Sequence, residues 1–383
     1  MFEDVLELLR AFIYGEEPKL SGKSNIEELL KFAYRQKLLG IFAYMNKRWS
    51  LFDSEKAKSL DAAYYSALFE STVRCSKFLK LSEILSENKI EHMPVKGYYI
   101  RELYPVKELR GFGDIDILIH EKDRKRCDSL MKSLGYTVKN DWEPTYSYIK
   151  DDEYYEIHTN LFDVRLKDRA DMTEYFSSAW LHAKKDSGLR FVPDTEFHLI
   201  YIICHLAKHL STGGAGIRMY LDVALYILRY DSVISWERTE EEFKKLGLER
   251  FFHTVLSAVN EWFYVKASCD FENFGEELSE LLEFTLDSDI FGHSRDNSAI
   301  KLRGEGRSKK RTALKILFPP AEQLENRYTF LKRSRLLLPL AWIVRVFKNF
   351  GLIPKKIKEL VNLKKTEISE VESFDSFMRE IGL

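Results

Sequence analysis

The chain has 383 residues, 45% of them hydrophobic and 31% charged, and its formal net charge is −1. This length allows two or three domains with a sizeable core, and the near-neutral charge gives no global argument for nucleic-acid binding. The four cysteines are widely separated and form no CxxC pair, which argues against a disulfide framework or a zinc ribbon. The N-terminus lacks a signal-peptide pattern, and the longest apolar run is far shorter than the ~20 residues of a membrane span, so a cytoplasmic protein is expected.

Residues 1–88 are predicted to form an N-terminal helical region. Apolar residues recur at three- and four-residue spacing over 2–14 and again over 25–45, which predicts amphipathic helices. Ser24 followed by Glu27 fits a capping box at the start of the second of these. A longer helix is then predicted over about 54–87, ending at Asn88.

Residues 89–166 are predicted to form a small α/β core. A short extended piece at 91–95 precedes a short helix, a strand at 113–120 and an amphipathic helix that ends at Gly135. Three runs rich in Tyr, Thr, Val and Ile then predict three more strands. The order β-α-β-α-β-β-β indicates a small mixed sheet with helices on one side, so the predicted fold class is α+β, with helical regions flanking the core.

Residues 167–300 read as a helical domain, and 301–383 as a basic loop followed by C-terminal helices. The segment 301–311 contains six basic residues and two glycines, which is typical of an exposed loop. That loop either guides an anionic acceptor such as RNA or is simply solvated. The apolar run 336–344 is expected to be buried against the helical domain, with membrane-surface contact as the alternative. The tail from Lys355 is expected to form a loosely attached terminal helix.

Asp114 and Asp116 alternate with isoleucines in the strand predicted at 113–120. Residues i and i+2 of a strand point to one face, ~6.6 Å apart, so the two carboxylates share one face and the isoleucines the other. Converging carboxylates repel each other and raise at least one pKa unless a cation intervenes, and Mg²⁺ commonly combines one or two carboxylates with substrate phosphates. The alternative is an edge strand whose wet face merely tolerates aspartate.

Two neighbouring segments favour the metal site. Upstream, Lys96 and Gly97 lie between a strand end and a helix start, where backbone N–H groups can approach a phosphate. Downstream, Glu156 and His158 share a face of another predicted strand, so Glu156 supplies a third carboxylate.

These motifs resemble the polymerase β-like nucleotidyltransferase superfamily and, more narrowly, its bacterial family of uncharacterised nucleotidyltransferases. The resemblance covers about residues 90–225 and rests on the Lys96-Gly97 turn, on Arg110 with the sequence GDIDIL from Gly113, and on the sequence EIH from Glu156. A further match is HLAKHLSTGGAGIRMYLD, which begins at His205. The Lys-Gly turn departs from the superfamily's Gly-Ser, and the sixteen residues between Gly97 and Asp114 exceed the usual gap.

The resemblance implies that Asp114 and Asp116 bind Mg²⁺ or Mn²⁺, and that Glu156 completes the metal site and accepts a proton from the incoming hydroxyl. The implied reaction moves an NMP from an NTP, ATP by default, to an acceptor with release of pyrophosphate. The acceptor stays open between a small molecule, a protein side chain and an RNA end. The helical domain 167–300 would complete the nucleotide cleft. The implied nucleotide-binding residues are Lys96, Gly97, Arg110, Gly113, His158, His205, Lys208, His209, Arg218 and Asp222.

Three other functions stay open beside this one. The same core could be a catalytically inactive nucleotide-binding scaffold, or a protein-interaction module with an exposed aspartate face. A zinc hydrolase could be built on His205 and His209, which lie one helical turn apart with His198 on the same stripe, although Leu206 replaces the Glu of HExxH.

Arg218 and Asp222, four residues apart, either pair with each other or point to the substrate.

Overall fold

The structure is a computed structural model that describes residues 1–52, 54–111, 113–162, 166, 169–288, 298–304, 308–325, 327–328, 330–348 and 353–383. It is a mixed α+β fold, as predicted. The helices are α1 (Phe2–Tyr14), α2 (Ile26–Arg35), α3 (Leu39–Trp49), α4 (Ser54–Glu87), α5 (Gly97–Ile100), α6 (Arg124–Ser133), α7 (Met172–Phe176), α8 (Thr195–Thr212), α9 (Ile217–Tyr230), α10 (Trp236–Leu246), α11 (Glu249–Phe263), α12 (Glu276–Asp287), α13 (Ser298–Gly304), α14 (Lys309–Leu317), α15 (Ala321–Leu324), α16 (Phe330–Arg333), α17 (Leu338–Lys348), α18 (Ile353–Lys365) and α19 (Ile368–Glu380). The strands are β1 (His92–Pro94), β2 (Ile115–Ile119), β3 (Thr137–Trp142), β4 (Thr145–Lys150), β5 (Glu153–His158), β6 (Ala183–Ser187) and β7 (Arg190–Pro193).

The strands form one mixed sheet in the order β3-β4-β5-β2-β1-β7-β6. The pairs β2–β5 and β1–β7 are parallel, and the other neighbours are antiparallel. The first five strands were predicted. The expectation of helix from residue 167 onward was wrong for β6 and β7. Edge strand β6 carries mostly exposed polar residues and so lacks apolar alternation, and β7, a strand of four residues between β1 and β6, is too short to show one. The turn between β6 and β7 includes Gly188, whose φ of 60° suits glycine.

The two faces of the sheet pack against different helices. Ile115, Ile117 and Ile119 of β2 are buried with apolar side chains of α4 and α6. Leu118, one position out of phase, joins a separate core that includes residues of α8, α9 and α11. A one-residue slip of β2 would turn all three isoleucines to the opposite face of the sheet. The fold would then lose ~1.5–3 kcal/mol of burial free energy for each side chain. The register is therefore fixed, and Asp116 is directed to the side of α8 and α9.

The N-terminal helices differ from the prediction in two details. The segment predicted as one helix over 25–45 is two, α2 and α3, separated where Lys37 takes a positive φ of 57°. The cap of α2 is Asn25, whose side chain accepts a hydrogen bond from the backbone N–H of Glu27 at 2.9 Å, rather than Ser24. The Ser24 hydroxyl instead donates to Asp4 of α1. The predicted helix 54–87 is confirmed as α4.

The C-terminal region departs further from expectation. The predicted loop 301–311 is largely taken up by the end of α13 and the start of α14, while 305–307 lie outside the described residues. The tail is not loosely attached, because Phe377 and Met378 of α19 and the following Ile381 are buried in the main core. The run 336–344 is not buried along its length: Ala341 packs inward, whereas Leu336 and Leu340 are exposed.

The main core joins segments that lie far apart in the chain. One continuous cluster of buried side chains combines residues of α1–α3, β1, α8–α12 and the C-terminal residues from Phe377. In the part of the chain that the structure describes, no helix has the length and apolar character needed to span a membrane. All four cysteines are free thiols.

Candidate active site

Three carboxylates meet where β2 and β5 run side by side. Asp116 is the register partner of Glu156 across this parallel pair, and Asp114 lies just ahead of β2. Asp116 is buried, whereas Asp114 and Glu156 are half-buried. All three line a cavity of about 440 Å³ between the sheet and helices α8 and α9. The parallel register therefore brings together groups that are about forty residues apart in sequence.

The lining of the cavity is both charged and apolar. Every predicted site residue lies on it, that is, Asp114, Asp116, Glu156, Lys96, Gly97, Arg110, Gly113, His158, His205, Lys208, His209, Arg218 and Asp222. Apolar side chains that the sequence did not single out complete the wall, namely Ile100, Leu161, Phe162, Ile202 and Met219. Anionic, cationic and apolar surfaces thus line one cavity.

Asp116 is held ionised by two nitrogen donors. Lys96 Nζ and His158 Nε2 each lie 2.8 Å from its Oδ1. A proton on Nε2 lets His158 donate to Asp116 while Nδ1 accepts from the Thr145 hydroxyl at 3.1 Å. Burial alone would raise the pKa of Asp116, but Lys96 and His158 together hold that pKa well below its usual range.

Asp114 is shifted in the opposite direction. Burial, followed by the charges of Asp116 and Glu156, raises the pKa of Asp114 to about 6, with Lys96 opposing the shift. Repulsion between these carboxylates is what a bound cation would relieve. Asp116, Glu156 and His158 also place ligand atoms within 4.8 Å of one another. The carboxylate oxygens of Asp116 and Glu156 suit a hard divalent cation such as Mg²⁺.

The turn between β1 and α5 carries an unusual backbone. Lys96 has φ 51° and ψ −120°, a conformation that non-glycine residues rarely adopt. Its ammonium donates a hydrogen bond to Asp116. A glycine would suit this backbone conformation but could not make that contact, which explains why a lysine stands here. Backbone strain of this sort tends to occur at functional sites, and here it lies beside the carboxylates. Gly113 is different, since a Cβ added there would meet nothing within 4 Å.

Arg110 and Asp222 bind each other. Arg110 Nη2 lies 2.7 Å from Asp222 Oδ2 and Nε 3.1 Å from Oδ1, and the Tyr104 hydroxyl donates to Oδ1 at 2.7 Å. Although burial opposes it, the charge of Asp222 raises the pKa of Arg110. The pairing considered from sequence, Arg218 with Asp222, is therefore replaced by a bidentate pair that joins α9 to the loop before β2.

Arg218 remains the less compensated cation. Its Nη1 donates to the Gly111 carbonyl at 2.7 Å, while Nε is buried and has no hydrogen-bond partner among the described residues. Burial and then the charge of Arg110 lower the pKa of Arg218 to about 10, which still leaves it charged at neutral pH. A guanidinium on the cavity wall that has no carboxylate partner of its own among the side chains that the structure describes can bind an anion that enters the cavity.

The three histidines of α8 have different surroundings. His205 and His209 lie on the cavity with ring centroids 4.5 Å apart, and burial followed by nearby cations lowers the pKa of His205 well below its usual value. His198 is fully buried away from the cavity lining. No third His, Cys, Asp or Glu in the described part of the chain joins His205 and His209 in a metal-ligand group. A zinc centre on this helix finds no support.

Some polar lining residues follow from strand register. Thr145 and Ser147 of β4 pair with His158 and Glu156 of β5, so they point to the same face and reach the cavity. Residues that pair across neighbouring strands point to the same face, so aligning β4 with β5 at Glu156 and His158 would have identified them from the sequence. Phe162 and Leu161 follow β5 without a periodic pattern, so no sequence signal marked them.

Comparisons with known proteins agree with this geometry at the level of the family. The family described as uncharacterised nucleotidyltransferase matches residues 22–264, more than half of the chain. Among solved structures, the chain is similar to the solution structure of the antibiotic-resistance factor ANT(2'')-Ia, with 13% identity and a TM-score of 0.33, over 45% of this chain and 92% of that chain. At that score the likeness carries no inference about this chain. No curated protein matches significantly.

Proposed function

The chain belongs to the uncharacterised nucleotidyltransferase family, and from that premise we propose a metal-dependent enzyme that moves an NMP from an NTP to a hydroxyl or similar acceptor. The observation that carries the proposal is the convergence of Asp114, Asp116 and Glu156 on a cavity that also holds Lys208 and Arg218. Carboxylates and cations on one cavity suit a triphosphate together with the divalent ions that accompany it.

Mg²⁺ or Mn²⁺ would be held by Asp114, Asp116 and Glu156, since all three offer the oxygen ligands that these ions prefer. When bound, such an ion neutralises charge on the triphosphate and on the departing pyrophosphate. Both hydrogen bonds that described residues make to the Asp116 carboxylate enter Oδ1, so Oδ2 is the oxygen available to a cation.

The residues of the cavity have distinct tasks in the transfer. The acceptor oxygen forms a bond to the α-phosphorus as the bond between that phosphorus and the pyrophosphate oxygen breaks. Glu156, which accepts a hydrogen bond from the Tyr154 hydroxyl at 3.1 Å, takes the proton of the acceptor. Lys96 and His158 keep Asp116 ionised and oriented, and the guanidinium of Arg218, on the cavity wall, binds a phosphate oxygen.

The remaining lining residues would position the nucleotide. Lys208, His205 and His209 extend along one side of α8, where they can contact phosphate or sugar oxygens, and Gly97 and Gly113 also line the cavity. The base would pack on the apolar wall that includes Phe162. ATP is the default donor. The acceptor, a small molecule, a protein side chain or an RNA end, is left open, and so is a role for the described parts of 301–311 in guiding an anionic acceptor.

A second candidate, a catalytically inactive scaffold, has one observation in its favour. The Lys96 ammonium already neutralises Asp116 at 2.8 Å, which is the task a metal ion would perform in an active enzyme. In that case nucleotide or a protein partner would bind without turnover.

The test uses purified protein with each NTP labelled at the α-phosphate, Mg²⁺ or Mn²⁺, and extract of the host cell as a source of acceptor. Parallel reactions contain the same NTP labelled at the γ-phosphate. The proposal predicts stable label on a small molecule, protein or RNA from the α position alone. Label from the γ position would indicate phosphate transfer instead, and NTP binding without any transferred label would favour the scaffold.

A further inference from the structure

Helix α17 presents a continuous apolar face to solvent. Phe347, Ile343, Val346 and Leu340 are 77%, 54%, 53% and 48% exposed, and Leu336 just before the helix is 91% exposed. At 100° per residue these positions lie on one side of the helix and run along its length. We call Leu336, Leu340, Ile343, Val346 and Phe347 the α17 apolar face. Exposed apolar surface of this continuity marks an interaction site rather than an ordinary solvated helix.

The opposite side of α17 is fixed to the protein. Ala341 is fully buried in a cluster with residues of α15 and α16. Trp342 Nε1 donates to the Pro319 carbonyl at 2.8 Å, and Arg345 Nη1 donates to the Leu317 carbonyl at 3.1 Å. The orientation of α17 is therefore determined by packing and hydrogen bonds, so the apolar face is turned outward by the fold.

The exposed surface continues onto α14. Leu314, Leu317 and Phe318 at its C-terminal end are each more than two-fifths exposed. The Phe318 ring packs against Trp342 of α17, with centroids 5.1 Å apart, so the two segments are in direct contact.

The same region is strongly basic. Residues 301–365 contain 18 Lys and Arg but four Asp and Glu, a formal charge of +14, whereas the chain as a whole carries −1. The remainder is therefore at −15, and the two signs are segregated along the chain. A basic segment with an exposed aliphatic and aromatic helix face is typical of helices that lie in the headgroup region of an anionic membrane.

We propose that the α17 apolar face and its basic surroundings dock the protein on an anionic lipid surface, with the apolar side chains among the headgroups and the basic ones facing lipid phosphates. RNA would satisfy the charge but leave Leu340, Ile343 and Val346 exposed to water. A second copy of the chain would cover the apolar face but bring two segments of +14 together. The protein would bind the lipid surface peripherally. This binding needs no nucleotide, so it can be tested independently of the proposed nucleotidyl transfer.

The experiment is flotation of the full chain with phosphatidylcholine vesicles that contain or lack phosphatidylglycerol, at low and at high salt. The test variant is Ile343→Asp with Phe347→Asp, and the matched control is Leu181→Asp, which changes an 86% exposed apolar residue elsewhere. Circular dichroism establishes that each variant is folded. We expect binding to the anionic vesicles that weakens with salt, at least a ~10-fold lower partition for the double variant, and no change for Leu181→Asp.

Three results would overturn the proposal. The unmutated chain could fail to float with anionic vesicles at low salt, or the double variant could float as well as the unmutated chain. Alternatively, light scattering could show a dimer that only the double variant loses while vesicles have no effect. In the first of these cases, retention of a homopolymeric RNA by the unmutated chain and by the double variant would point to nucleic acid as the basic segment's partner.

Discussion

Lys96 Nζ lies 2.8 Å from Oδ1 of Asp116, and both side chains are largely buried. The two residues are twenty positions apart and are brought together by the antiparallel pairing of β1 with β2. This contact, shared with His158, keeps a carboxylate charged in a place where burial would otherwise protonate it. It sets the electrostatics of the proposed metal site, and it has consequences for stability as well as for activity.

Lys96→Met should destabilise the fold by about 2–4 kcal/mol at neutral pH, because Asp116 would keep only His158 as a partner. The folded-state pKa of Asp116 is lowered, so its stabilising contribution exists above the unfolded pKa of 3.8 and disappears as pH falls through the folded value. The difference in free energy of unfolding between the two proteins should therefore shrink below about pH 4. Urea unfolding across this range measures it, and a difference that is constant with pH would contradict the assignment.

Asp222→Ala should destabilise the protein by about 3–5 kcal/mol, since Arg110 would remain buried without its carboxylate partner. The matched control is Asp141→Ala, which removes the exposed partner of Arg124 and should change stability by less than ~1 kcal/mol. Chemical denaturation of both variants gives the comparison. Equal, small effects would mean that the Arg110–Asp222 pair does not brace the loop that carries Asp114.

Arg218→Met should weaken NTP binding about 10- to 100-fold, which corresponds to the loss of a charged hydrogen bond worth about 1.5–3 kcal/mol. Arg218→Lys should recover part of the affinity, because it keeps the charge and loses the fork of N–H donors. Calorimetric titration with a non-hydrolysable NTP tests both, beside Lys77→Met, which breaks an ion pair outside the cavity. Unchanged affinity in Arg218→Met would remove this residue from the binding site.

His198→Phe should make the protein less sensitive to acid. Burial lowers the pKa of His198 to about 3, whereas an unfolded histidine has its usual 6.5. As pH falls below 6.5 the unfolded chain therefore gains a proton that the native state excludes, and the stability of the unmutated protein drops by about 1.4 kcal/mol per pH unit from this group. The His198→Phe variant has no titrating group at this position, so it should not show this loss of stability. Its ring would lie among the same aromatic neighbours, Tyr99 and Tyr226. Parallel stability curves between about pH 6.5 and about pH 4 would show that His198 is protonated in the native state.

Much of the core fold follows from the sequence because periodicity and burial agree there. The alternation of Asp and Ile around Asp116 predicts both the strand and the direction of its carboxylate, and the packing of Ile117 against α4 and α6 fulfils it. Edge strand β6 could not be predicted in this way, because its exposed polar residues carry no alternating pattern, and the four residues of β7 are too few to show one. The exposure of Leu336 and Leu340 was missed for the converse reason, since an apolar run is ordinarily a core segment.

The sequence predicts which residues line the cavity better than it predicts which of them form ion pairs with each other. Arg110, Arg218 and Asp222 all line the cavity, as predicted. Which of the two arginines pairs with Asp222 depends on how α9 packs against the loop before β2. That choice is a tertiary property with no local signature. Roles in catalysis or nucleotide binding for these residues therefore remain predictions that rest on the geometry together with the family.

Electron paramagnetic resonance of Mn²⁺, in the presence of an NTP analogue that cannot be cleaved between the α- and β-phosphates, tests the proposed metal site directly. The unmutated protein is compared with Asp116→Asn and with Asp152→Asn, whose exposed carboxylate pairs with Lys77. A metal–triphosphate site at these carboxylates predicts nucleotide-dependent Mn²⁺ binding in the unmutated protein and in Asp152→Asn, and loss of that binding in Asp116→Asn. Equal binding by Asp116→Asn, or none by the unmutated protein, would contradict a metal–triphosphate site at these carboxylates.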